Sequence, residues 1–160
     1  MPFSILNPHP ALSGFPPVLL TLLIVSELWS MYSKRQMHSV QSFLLIVLAG
    51  TLPLTYFSGW WAADGASVSF EVPDDAVAMH QLAAKAFSLS LFLPLLAFYL
   101  ERSALDDARR RHLQRLFRAG LLLSFCAAAA TGYLGGRLVF EHGAGITGTL
   151  RPAADRESPE

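Results

Sequence analysis

Four stretches of the chain are almost wholly apolar, and short polar stretches separate them. The pattern predicts helices over about residues 12–33, 39–62, 75–100 and 113–139, each approaching or exceeding the roughly 20 residues that cross a bilayer core. Pro16 and Pro17 suit the opening turn of the first helix, where a missing amide hydrogen costs little. Pro53 and Pro94 predict bends in the second and third, and Pro8 and Pro10 predict extended backbone around His9. Tyr56, Trp60 and Trp61 form an aromatic belt at one end of the second helix. Asp74 and Asp75 favour the N-terminus of the third. The expected architecture is an all-α integral membrane protein. It is a four-helix antiparallel transmembrane bundle over residues 1–150, with a polar, disordered tail at 151–160.

Composition sharpens this expectation. Of 160 residues, 52% are hydrophobic and only 15% are charged. The charges fall between the apolar runs, so the natural surroundings of those runs are a lipid bilayer. The net charge of zero argues against a nucleic-acid partner. Cys126 is the single cysteine, which excludes an internal disulfide and any multi-cysteine metal site. Its alanine neighbours suggest a buried, inert thiol. The first apolar run has no basic leader and no clear cleavage site, which predicts a retained helix.

The polar stretches also predict an orientation. Lys34, Arg35, Arg102, Arg109, Arg110 and Arg111 occupy the first and third connections. The second, residues 63–77, carries Asp64, Glu71, Asp74 and Asp75 and no basic residue. The positive-inside rule then places the basic connections in the cytoplasm and both termini outside.

Candidate chemistry gathers at the outer level. The stretch Gly132 to Ile146 closes the fourth apolar run and carries Arg137, Glu141 and His142, while His9 and His80 begin the first and third runs. Histidine is costly in a bilayer unless it is paired or functional. Imidazole binds haem iron, copper or zinc through one nitrogen while the other needs an orienting acceptor, for which Glu141, Asp64, Asp74 and Asp75 are candidates. The preferred cofactor reading is one haem b, with His80 as the first axial ligand and His142 or His9 as the second; Lys85 and Arg137 would face the propionates. Three histidines with a carboxylate also suit copper or zinc. The plain alternative is three interfacial histidines hydrogen-bonded to loop backbone, with no cofactor. His38 and His112 adjoin the basic connections and read as interface residues there.

Two further features concern packing. Glu27 and Arg118 fall at similar depth in the first and fourth helices and predict a structural ion pair. Gly120, Ser124, Ala128, Gly132 and Gly136 recur at intervals of four and predict a small-residue ridge along the fourth helix, in close contact with a neighbour. Enzyme signatures such as a phosphate-binding glycine loop or a zinc-protease helix motif are missing.

Several motifs together carry a family resemblance. They are the opening NPHPALSGFPPVLL, the SGWW end of the second run, the histidine starting the third, and GGRLVFEHGAGI. Over about residues 7–148 the chain resembles the bacterial membrane-protein family catalogued as domain of unknown function 2231. The most specific match is Gly135, Gly136, Leu138, Val139, His142 and Gly143. The family opening carries a second histidine just before the Phe-Pro pair, where Gly14 stands here. The resemblance implies four transmembrane helices and no established activity, and relatives fused to Rieske or cytochrome-type domains imply redox company. The resulting expectation is a non-catalytic subunit or electron carrier in the bacterial inner membrane, with membrane or periplasmic redox proteins as partners. A cofactor-free docking subunit and an outward-facing copper- or zinc-binding protein are the alternatives.

Overall fold

The computed structural model describes residues 8–70 and 72–144, with backbone alone for 64–70. Six helices follow one another: α1 (His9–Ser13), α2 (Phe15–Ser33), α3 (His38–Phe70), α4 (Asp74–Ser90), α5 (Phe92–Arg102) and α6 (Asp107–Phe140). They combine into four spans, since α1 with α2 and α4 with α5 each form one apolar unit. All four are long and apolar enough to cross a membrane, and the fold is an all-α four-helix bundle.

The side chains explain why lipid must surround it. In no span is more than 28% of the apolar stretch buried inside the protein. Leu22, Phe43, Ile46, Phe57, Leu82, Leu89, Phe92 and Leu122 all point outward. An apolar surface of that extent is stable only against hydrocarbon. Tyr56, Trp60 and Trp61 are exposed too, as an interfacial belt requires. The interior is a compact cluster around Leu20, Leu23, Leu45, Leu48, Phe98, Phe117 and Leu121. Helix α6 packs against α4, α5 and α2, so it lies at the centre of the arrangement.

Local chemistry places the helix ends, and several differ from the sequence expectation. His9 is not extended: α1 begins there, because Pro8 acts as its N-cap and Pro10 falls where no amide donor is needed. Helix α3 runs on to Phe70, which leaves a second connection far shorter than residues 63–77. Helix α6 starts at Asp107, six residues before the expected 113. Asp106 caps it by accepting a hydrogen bond from the Arg109 amide at 2.7 Å, so Arg109, Arg110 and Arg111 stand on its first turns rather than in a loop. Hydropathy marks where lipid stops, whereas caps mark where helices stop.

The expected bend at Pro94 is present as the break between α4 and α5 at Leu91. Pro94 has no amide hydrogen for the carbonyl four residues back. Its ring seats against α6, where a Cβ on Gly120 would lie 2.6 Å from Pro94 Cδ. Beside it, Ser124 is fully buried and its hydroxyl is hydrogen-bonded with that of Ser90 at 3.0 Å. The ridge does not continue. Gly132 is exposed, with nothing within 4 Å of an added Cβ, and Gly136 would meet only Phe140 of its own helix. Steps of four residues on a 3.6-residue helix rotate by roughly 40° each, so the line winds off the contact face. Cys126 likewise is exposed on the outer surface of α6 and not buried among the alanines.

Candidate functional site

At the end of the bundle opposite the basic connections stand two histidines, His9 on the first span and His80 on the third. His9 stands at the start of α1 and leans on α3: its Nδ1 is 3.1 Å from Ser58 Oγ, and its ring also hydrogen-bonds the Thr55 backbone. Ser58 Oγ donates to the Thr55 carbonyl at 2.9 Å. A second tie joins the same elements, from Thr55 Oγ1 to the Leu12 carbonyl at 3.3 Å.

His80 stands in the second turn of α4 and leans on α6. Its Nδ1 is 3.2 Å from the Thr131 carbonyl oxygen. A carbonyl only accepts, so Nδ1 carries the hydrogen and Nε2 of the neutral ring holds the lone pair. Ligating histidines are oriented in this way, with one nitrogen donating to a backbone carbonyl and the other left for the metal. His9 and His80 lie within electrostatic reach of one another, and both are half-buried.

Each imidazole occupies a glycine notch. A Cβ on Gly59 would fall 2.7 Å from His9 Cε1, and one on Gly135 would fall 3.1 Å from His80 Cε1. Without a side chain at these two positions the rings can lie against helix backbone. Sequence reasoning missed Gly59, which sits alone in SGWW, and it missed Thr131 and Ser58 as the orienting groups. The available signal was one glycine one to two helical turns from the end of a span that faces a histidine-bearing neighbour.

Other expected members are placed differently. Arg137 pairs with Glu141 on its own helix at 2.8 Å, so neither is committed to a histidine. Lys85 is exposed on α4. His142 lies in the turn that closes α6, where Gly143 adopts φ 68° and its amide reaches the Val139 carbonyl at 3.0 Å. Gly145 and Ile146, the side chain of Asp64, Glu71 and the tail at 151–160 lie outside the described residues. Among the described residues, no group of three or more His, Cys, Asp or Glu could hold a metal ion. His9 is held against α3 and His80 against α6.

Nearer the basic end, Arg118 Nε donates to Glu27 Oε1 at 2.7 Å, joining α6 to α2. Gln41 of α3 donates to the other oxygen of Glu27 at 2.9 Å. Glu27 is largely covered while Arg118 is half exposed, which suits structural neutralisation between spans.

No family model matches the chain, and no curated protein or solved structure matches it.

Proposed function

We propose that this chain is a small integral membrane subunit serving electron transfer, with one haem b held at its histidine end. The observation that carries the reading is His80. Its Nδ1 is tied to the Thr131 carbonyl at 3.2 Å, which leaves the Nε2 lone pair of the neutral ring for a ligand. A haem bound there would supply one-electron carriage between membrane partners. The protein's own part is to orient His80 through Thr131 and to place His9 through Ser58. Its apolar flanks keep bulk water away. Membership of the family catalogued as domain of unknown function 2231 belongs to the same proposal, as does an inner-membrane setting with both termini periplasmic. The orientation rests on the basic residues of the first and third connections.

A second reading is favoured by a specific observation. The two imidazoles fill the glycine notches themselves, and His9 is hydrogen-bonded to both Ser58 and Thr55. Such rings can act as structural pegs between spans in a cofactor-free docking subunit.

An absorbance spectrum of the full chain, made under haem-replete conditions, separates the two. The haem reading expects a Soret band that His80→Ala abolishes or strongly shifts, while His112→Ala leaves it unchanged. A purified protein without haem, copper or zinc would leave the docking reading in place.

A further inference from the structure

The end of the bundle near the basic connections holds a partly open polar cavity of about 40 Å³ that the histidine-end site does not use. Glu27, His38, Gln41, Glu101, Gln114 and Arg118 contribute to its walls, together with the rings of Phe98 and Phe117. Every span therefore supplies a polar group. Glu101 is only 6% exposed, and Gln114 donates to its Oε1 at 2.8 Å. Among the described residues, His38 Nδ1 is the one buried side-chain polar atom without a hydrogen-bond partner. The His38 ring is held edge-on to Phe98, 5.9 Å between centroids, and Arg102 stacks over the same phenyl group at 5.1 Å.

Size and charge select the ligand. A cavity needs roughly 10–15 Å³ to admit one water, so this one admits a few, whereas small-molecule pockets run to several hundred. Its walls carry two carboxylates, Glu27 and Glu101, against one guanidinium, Arg118, which leaves one negative charge to be countered in a largely buried place. Sodium or calcium would call for a shell of oxygens, but here an imidazole nitrogen and a guanidinium share the walls. A proton needs no such shell.

We infer that this cavity is a hydrated proton-binding site in which water links His38 Nδ1 to the Glu101 carboxylate. The step moves one proton and nothing else. The proton leaves a hydronium ion or buffer acid at the basic end and settles on the Glu101–water–His38 unit, with no change of oxidation state. Glu27 from α2 and Arg118 from α6 face the unit as a neutralised pair. The site is independent of any cofactor at the opposite end.

Infrared difference spectroscopy of the full chain in lipid nanodiscs, between neutral and acidic pH and in both H2O and D2O, tests the inference. The expected result is a deuterium-sensitive carboxylic-acid band that is lost in Glu101→Gln, displaced in His38→Gln and unaffected by Glu141→Gln or by sodium chloride. Glu101→Gln retains an oxygen for the Gln114 hydrogen bond, so the fold should persist. If that variant nevertheless fails to fold, the His38→Gln and sodium arms still decide. A band that survives Glu101→Gln in full, or that keeps its position in His38→Gln, overturns the inference. Suppression of the band by sodium at fixed pH would make this a metal-cation site and overturns it equally.

Discussion

Replacing Gly120 by alanine puts a methyl carbon into the notch where α6 receives the Pro94 ring. The added Cβ would lie 2.6 Å from Pro94 Cδ, 2.8 Å from Pro94 N and 3.2 Å from Leu93 Cγ. Comfortable carbon contacts begin near 3.5 Å, so the overlap with the proline is about 1 Å. Leu93 can rotate away, but the proline ring and its backbone nitrogen cannot move unless α5 moves with them. Overpacking of this kind costs about 1–3 kcal/mol, and contact with backbone argues for the upper half of that range. Alanine's better helix propensity returns about 1 kcal/mol, which leaves a net loss of about 1–2 kcal/mol. Gly132→Ala is the matched control: it gains the same propensity and meets nothing within 4 Å. Equilibrium unfolding in mixed micelles, followed by far-ultraviolet circular dichroism, should separate the two variants by about 2–3 kcal/mol. If Gly120→Ala is as stable as Gly132→Ala, α5 does not press on α6 at this point and the packing argument fails.

Three other perturbations follow from local geometry. Lys34 ends α2 at φ 55°, so Lys34→Gly should raise stability by about 0.5–1 kcal/mol in the same unfolding assay. Asp106→Ala removes the cap of α6 and should cost about 1 kcal/mol, with faster amide exchange confined to residues 107–110. Arg118→Leu leaves Glu27 largely covered with Gln41 as its remaining partner, and should cost about 1–3 kcal/mol because Arg118 itself is half exposed. Adding Glu27→Leu should restore most of that loss; a double variant no better than the single would show that the pair does not act as a unit.

Much of the architecture was legible in the linear pattern. Lipid imposes a minimum length and a nearly charge-free composition on each span, so four apolar runs define four membrane helices whatever their neighbours are. Pro94 marked its own break, whereas Pro53, which lacks the same amide hydrogen, stands inside an unbroken α3. Glu27 and Arg118 marked each other, because isolated charges at matching depth have few other options. The histidine end was legible only in part. His9 and His80 were visible as residues, but their notches at Gly59 and Gly135 depend on which helix faces lie together, and a sequence does not carry rotation about a helix axis. The same ambiguity let a ridge of five small residues be read as one contact, when only its Gly120 half meets a partner.

The basic end was the least visible. His38 and Glu101 lie 63 positions apart beside charged connections, and each alone resembles an interface residue. Packing four spans gathers them around one cavity with Gln41, Gln114 and the Glu27–Arg118 pair. Hydropathy is a sum along the chain, so it determined which segments enter the membrane. Enclosure is a property of surfaces meeting across the bundle, so the tertiary structure alone decided which polar groups share a cavity.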